Sequence, residues 1–129
     1  YASDESGPWE AYVRPFPPAP GKWKISIGGG QHPRWRRDSK ELFYLGASQK
    51  LMAVAVKTAV SGAQPVFEVA APQPLFDTRI ASLPPGFVRY LYAVAADGKR
   101  FLVNTAGADA PEAPVTVVLN WRAAAKRGD

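Results

Sequence analysis

The sequence predicts an all-β protein made of antiparallel sheets, and three observations support this prediction. Short apolar runs bounded by Gly, Pro, Asp or Ser recur along the 129 residues, while helical periodicity is nearly absent. The 13 prolines and 11 glycines are about 19% of the chain, a share that suits punctuation between short strands better than low complexity. Finally, several runs are apolar at consecutive positions, which is typical of strands covered on both faces.

The predicted strands begin with Tyr1–Ser3, the end of a strand already under way. Each later strand is an apolar run with turn residues on both sides. In chain order they are Glu10–Arg14, Lys22–Ile27, Pro33–Arg36, Glu41–Leu45, Leu51–Lys57, Val66–Val69, Val88–Ala95, Arg100–Asn104 and Val115–Asn120. A helical turn near the end of Leu119–Lys126 is the one helical expectation, and it is too short to be stable alone.

Two of these strands contain an unbroken apolar run, which predicts stacked sheets. In Leu42–Leu45 and in Phe101–Val103, neither alternate set of side chains is polar. A sheet with one face in water would alternate apolar and polar residues. We therefore expect each of these sheets to lie between two others.

These two strands belong to two copies of an internal sequence repeat. Residues 35–44 align without gaps on residues 94–103, and Asp38 and Asp97 are 59 residues apart (97 − 38). In each copy an Asp precedes a small residue, Ser39 or Gly98, in the manner of a tight turn whose Asp accepts a backbone N–H. Each copy is therefore predicted to be a β-hairpin. Ser39 is a poorer turn residue than glycine.

Composition limits the classes of function. The net charge is +5, from 16 basic and 11 acidic residues, which favours anionic partners only as a steering effect. With no cysteine, disulfides and thiol chemistry are excluded. No apolar run approaches the roughly 18 residues of a membrane span, so membrane insertion is not expected.

The segment from Lys22 to Leu45 holds the residues that most suggest a function. Its glycine run, Gly28–Gly30, lacks both the P-loop lysine and the spacing of a dinucleotide fingerprint, and a bend between sheets explains it better. A basic and aromatic cluster could contact nucleic acid, but strand alternation splits it between two faces, and Trp35 is expected to pack between sheets. The cluster comprises Lys22, Trp23, Lys24, His32, Arg34, Trp35, Arg36 and Arg37.

Other chemical motifs are weak. His32 is the only histidine, which argues against a zinc site or a nucleophilic triad. The Asp4–Gly7 segment lacks alternating calcium ligands and is interpreted as a turn, and Arg127–Asp129 is a chance match to an adhesion tripeptide. We therefore expect no catalytic residue, no metal and no cofactor.

The ordered motifs resemble the repeat of TolB-type, WD40-like β-propellers. The resemblance rests on Gly28–Gly30, Pro33, Trp35, Asp38, Leu42 and Tyr44, on Tyr12–Pro17 before them, and on Phe101–Thr105 and Val115–Trp121 after them. The chain departs from the motif at Arg37, Ser39 and Val94. The ending is similar to propellers found behind bacterial serine/threonine kinase domains.

This resemblance implies four-stranded antiparallel blades, commonly six around a channel. The chain, which begins at Tyr1 without an initiator Met, is then expected to be a C-terminal portion of about two and a half blades. Residues 1–28 would end one blade, residues 29–78 form a complete blade, and residues 79–129 form a final blade that lacks its outer strand. Because two apolar blade faces would stay open, self-association is expected.

The resemblance also implies a non-catalytic interaction or sensing module. Its partner would be a protein, a peptide or a glycan, bound at the channel mouth formed by residues 29–33, 46–50, 78–87 and 105–114. The residues expected to contact it are Gln31, His32, Arg34, Lys50, Arg79 and Arg89. The alternatives are a gating propeller beside a peptidase-type hydrolase and a basic nucleic-acid binder. A periplasmic or extracytoplasmic location is implied, and a cytoplasmic one stays open.

Overall fold

The computed structural model describes residues 1–61, 64–80 and 91–105, and within these ranges every regular element is a strand. The all-β prediction is therefore confirmed for this part of the chain. The ten strands are β1 (Ala2–Ser3), β2 (Glu10–Val13), β3 (Trp23–Lys24), β4 (Gln31–Trp35), β5 (Glu41–Leu45), β6 (Lys50–Ser61), β7 (Gln64–Val69), β8 (Gln73–Asp77), β9 (Tyr92–Val94) and β10 (Phe101–Val103). The predicted strand Val115–Asn120 and the helical turn within Leu119–Lys126 lie outside the described residues. Within these ranges no helix is long and apolar enough to cross a membrane.

The central sheet has five antiparallel strands, arranged around the long strand β6. The order is β4-β5-β6-β7, and β8 also pairs with β6. The first half of β6 lies between β5 and β8, while its second half, Val56–Ser61, pairs with β7. Strands β4, β5, β6 and β8 thus form a four-stranded antiparallel unit, with the β6–β7 hairpin extending from it.

Two smaller sheets flank the central one. The three-stranded sheet has the order β1-β2-β3, and β9 pairs with β10 in a two-stranded sheet. Ala11, Ile25, Leu42 and Val54 form a buried cluster between the three-stranded sheet and one face of the central sheet. This cluster is called here the first core. It accounts for one covered face of the central sheet.

The second core covers the opposite face. Phe43 and Leu51 pack there with Tyr92, and Phe101 is packed against them. Successive residues of β5 point to opposite faces, so Leu42 enters the first core and Phe43 the second. The absence of polar alternation in Leu42–Leu45 is explained by this arrangement, in which apolar burial on both faces supplies the main stabilisation.

The two hairpins share one register. Trp35 pairs with Leu42 in the first, and Val94 pairs with Phe101 in the second, each 59 positions later. The turn bonds repeat as well. The N–H of Arg36 donates to the Glu41 carbonyl at 2.8 Å, and that of Ala95 donates to the Arg100 carbonyl at 2.9 Å.

Some strand predictions need correction. Strand β8 was missed because Pro72 and Pro74 argue against a strand, and this strand tolerates proline as an edge strand with exposed side chains. Strand β6 is longer than Leu51–Lys57 because its second half forms a hairpin with β7. Trp35 is 43% exposed rather than packed between sheets, since it ends the outer strand β4 next to a turn.

Candidate functional site at one end of the central sheet

The pairing registers gather several polar residues at one end of the central sheet. Gln31 pairs with Leu45, Leu45 pairs with Leu51, and Lys50 pairs with Asp77. Strands β4 and β6 therefore begin, and β5 and β8 end, at the same end, which we call the loop end. The turn at residues 36–41 lies at the opposite end, which we call the turn end.

His32 connects the loop end to the neighbouring sheet. Its backbone has a φ of 52°, and the pairing of β4 with β5 is irregular between Gln31 and Arg34. Its carbonyl accepts a hydrogen bond of 2.8 Å from the Tyr92 hydroxyl at the start of β9. The loop end thus includes residues from two stacked sheets.

The charge of Arg34 acts on both neighbours. Burial, together with the Arg34 charge, lowers the pKa of His32 below its usual 6.5, so the imidazole is neutral at pH 7. Burial raises the pKa of Tyr92 far more than the Arg34 charge lowers it. Tyr92 therefore remains a neutral hydrogen-bond donor, and the local positive charge belongs to Arg34.

Lys50 and Arg79 stand on the other side of the loop end. The Lys50 ammonium is 3.8 Å from the Asp77 carboxylate. Thr78 donates its N–H at 3.0 Å and its hydroxyl at 2.6 Å to the Gln49 carbonyl, which fixes the chain that follows β8. Arg79 comes next, exposed and with a φ of 51°. This anchored backbone holds Arg79 at the loop end.

Four of the six residues expected to contact a partner therefore lie at the loop end: Gln31, His32, Lys50 and Arg79. Arg34 pairs with Phe43 in the middle of β5, and only its charge reaches the loop end, through its effect on His32. Arg89 lies outside the described residues. The sequence did not point to Tyr92, which looks like any apolar strand residue. Its hydroxyl becomes informative only when the fold brings it to His32, 60 positions away.

The glycine run builds a bend around a buried carboxylate. Glu10 is 2% exposed and accepts hydrogen bonds from the Ser26 hydroxyl, from Lys24 Nζ at 3.0 Å and from the Gly29 N–H at 3.2 Å. Gly29 has a φ of 110°, which favours glycine, and a Cβ on Gly30 would meet Ser26 Cβ at 2.4 Å. The run is shaped by this packing. The Gly29 N–H is already bonded to the Glu10 carboxylate, so it is not available to a bound phosphate.

The ionisation of Glu10 reflects opposing effects. Burial raises its pKa, but the hydrogen bonds from Ser26, Lys24 and Gly29, with the Lys24 charge, outweigh burial and leave the pKa below the usual 4.5. Glu10 is therefore an ionised and fully partnered carboxylate. Such a group stabilises the junction of β2, β3 and the glycine run.

The basic and aromatic cluster is largely engaged within the chain. Lys22 pairs with Glu5 at 3.1 Å, and Lys24 pairs with Glu10. The Trp23 ring lies 4.7 Å from that of Phe67 in the first core, so it is not free to stack on a base. Arg36 bonds to Asp38 at 2.7 and 2.8 Å and to Glu41 at 2.9 Å.

The Asp residues of the two hairpins occupy turns. Asp38 accepts the N–H of Lys40 at 3.1 Å, and Asp97 accepts that of Lys99 at 3.0 Å. Hydrogen bonds from Arg36 and from the Lys40 N–H lower the pKa of Asp38 to about 2. The pKa of Asp97 is also lowered, first by the Lys99 N–H.

The Asp4–Gly7 segment is a turn, in which the N–H of Gly7 donates to the Asp4 carbonyl at 2.9 Å. Across residues 1–61, 64–80 and 91–105, no three His, Cys, Asp or Glu side chains are grouped to hold a metal ion. The Arg127–Asp129 tripeptide lies outside these ranges.

Comparisons of the chain with protein-family models, with curated proteins and with solved structures find no match.

Proposed function

We propose that this chain is a non-catalytic interaction module, a portion of a TolB-like β-propeller that binds a protein or peptide at the loop end. One observation carries the proposal. Gln31, His32, Lys50 and Arg79, which are far apart in sequence, converge at one end of the central sheet, beside Tyr92 of the next sheet. Propellers commonly present their loops in this way on one side of a rigid ring.

The blade assignment has its own support. The unit β4-β5-β6-β8 is antiparallel and four-stranded, as a blade at residues 29–78 requires. Sheets from residues 1–28 and 91–105 cover its two faces, as neighbouring blades would. The segments 1–28 and 79–129 are accordingly proposed as parts of the two adjacent blades.

The charges of the loop end favour an acidic partner. Lys50 and Arg79 contribute two positive charges, and Arg34 on β4, whose charge acts on His32, contributes a third. Asp77 beside Lys50 contributes one negative charge. His32 adds no charge at pH 7 because its pKa is lowered. A cluster with this balance attracts anionic groups. The proposed ligand is therefore a peptide or protein segment rich in Asp and Glu.

The experiment is an amide-resolved NMR titration of the chain. The probes are an Asp/Glu-rich peptide, an uncharged peptide of equal length and a single-stranded oligonucleotide. The acidic peptide is expected to cause saturable shifts at residues 31–34, 49–50 and 78–79, and the uncharged peptide none. Arg79→Ala should weaken binding about threefold, the scale of one exposed charge.

Arg37→Ala is the matched control, because Arg37 is an exposed arginine of the turn end. It should leave the affinity unchanged. Equal weakening by both substitutions, or shifts centred on residues 36–41, would contradict the loop-end assignment. Tighter binding of the oligonucleotide than of the acidic peptide would replace the proposal with nucleic-acid binding.

A further inference from the structure

Two large apolar side chains are exposed beside the glycine run at the loop end. Ile27 is 76% exposed and Trp9 is 49% exposed, and neither belongs to the two cores that the described residues form. The Gly30 N–H donates to the Trp9 carbonyl at 2.8 Å, which places Trp9 at the junction of the three-stranded sheet and β4. Ile27 is three residues before Gly30, so their backbones are at most about 11 Å apart. Ile27 and Trp9 therefore flank the same bend, and we call them the apolar pair.

The backbone that carries Ile27 is held in place on both sides. Ser26, the residue before it, is buried and donates its hydroxyl to the Glu10 carboxylate. Two residues after Ile27, the Gly29 N–H donates to the same carboxylate at 3.2 Å. A side chain displayed on a fixed backbone has little backbone freedom left to lose when a partner binds, and this preorganisation favours affinity.

The apolar pair is continuous with the charged part of the loop end. A Cβ on Gly29 would lie 2.9 Å from Ala47 Cβ, so the glycine run packs against the turn between β5 and β6. The same turn contains Gln49, whose carbonyl accepts the Thr78 hydroxyl, and it leads directly into Lys50. One surface therefore runs from the exposed apolar pair, across the glycine run, to the basic side chains.

We infer that the acidic segment bound at the loop end also carries a large apolar residue, which packs on the apolar pair. The inference rests on the proposed function, because the acidic ligand is taken from it. Lys50 and Arg79 steer and orient such a segment, while contact with exposed tryptophan and isoleucine side chains adds affinity. The ligand class is therefore an acidic peptide with an aromatic or aliphatic anchor.

The test compares two peptides of equal length and equal charge by isothermal titration calorimetry. One is an Asp/Glu-rich peptide with Phe at each end, and the other has Ser at both of these positions. The Phe peptide is expected to bind about tenfold more tightly, the scale of one apolar side chain partly removed from water. Because salt screens charges and not apolar contacts, this ratio should persist at high salt while both affinities fall.

Two variants locate the apolar contact. Ile27→Ser should reduce the difference in affinity between the two peptides to about twofold or less. Leu102→Ser is the matched control, since Leu102 is 78% exposed but lies in the middle of β10, away from the loop end. It should keep the tenfold difference. In NMR spectra, the indole N–H of Trp9 should shift with the Phe peptide more than with the Ser peptide.

The outcomes separate this inference from the proposed function. Equal binding of the two peptides would overturn the inference and leave the proposed function standing. Binding of neither peptide would overturn both. An equal effect of Ile27→Ser and Leu102→Ser would also overturn the inference, because the Phe side chains would then not recognise the apolar pair.

Discussion

The β4–β5 and β9–β10 hairpins have the same local structure and opposite surroundings. Their registers and turn hydrogen bonds coincide at a spacing of 59 residues. Yet Phe43 of the first is covered by a neighbouring sheet, while its equivalent Leu102 in the second is exposed. The comparison shows that the conformation of a hairpin and its burial have different causes. Turn chemistry sets each hairpin locally, whereas burial depends on which sheet lies against it.

The largest expected difference in stability comes from truncating Phe43 and its repeat equivalent, Leu102, to alanine. Phe43→Ala should lower the free energy of unfolding by about 3–5 kcal/mol, because it opens a cavity in the second core. Leu102→Ala should change it by less than about 0.5 kcal/mol in dilute solution, where the residue contacts mainly water. Denaturant unfolding at low protein concentration measures both. If both variants lost similar free energies of unfolding, Phe43 and Leu102 would not differ in burial as described.

Exchanging the turn residues gives an intermediate effect. Ser39 and Gly98 both have left-handed backbones, with φ of 59° and 70°. Gly98→Ser should destabilise the protein by about 1–2 kcal/mol, since a Cβ there is strained and meets Arg36 Cδ at 2.4 Å. Ser39→Gly should stabilise it by a smaller amount, about 0.5 kcal/mol, because glycine also gains freedom in the unfolded chain.

Thermal unfolding of the two single variants measures these changes. The opposite order, with Ser39→Gly destabilising and Gly98→Ser neutral, would show that the two turns are not equivalent.

The smallest expected effect is a pH-dependent change in melting temperature, which differs between the Asp38 turn and the Asp97 turn. The folded pKa of Asp38 is about 2, below the usual 3.8, so its contribution is present above pH 3.8 and is lost as the pH falls towards 2. Asp38→Asn should therefore lower the melting temperature at pH 7 and change little at pH 2. Asp97→Asn should act in the same direction but more weakly, because Arg100 lies 3.6 Å from Asp97 whereas Arg36 bonds to both Asp38 oxygens.

The measurement is a melting curve of each variant between pH 2 and pH 7. An undiminished effect of Asp38→Asn at pH 2 would contradict the assigned ionisation.

The hairpins were predictable because their information is local. The bounds of Glu41–Leu45 follow from an apolar run after a turn, and the stacked arrangement follows from strands without a polar face. Strand β8 could not be predicted in the same way. It has two prolines nearby and exposed side chains, and only its pairing with β6 makes it a strand. The exposure of Trp35 also depends on neighbours that the local sequence does not specify.

The candidate site was predictable in outline only. The loop positions of the family that the sequence resembles predict Gln31, His32, Lys50 and Arg79, and the registers bring these residues to one end. The bond from Tyr92 to His32 joins residues 60 positions apart and leaves no local pattern. The burial of Glu10 is equally hidden, because its hydrogen-bond donors come from β3, Ser26 and the glycine run.

The central claim is that the β9–β10 sheet stacks on the Phe43 face of the central sheet, one repeat upon the next. The most direct measurement is the nuclear Overhauser effect between the ring protons of Phe43 and Phe101. Their centroids lie 5.0 Å apart with the rings edge to face, so strong cross-peaks are expected, together with peaks from Tyr92 to the same core. Assigned spectra in which Phe43 shows contacts but none to residues 91–103 would contradict the stacking.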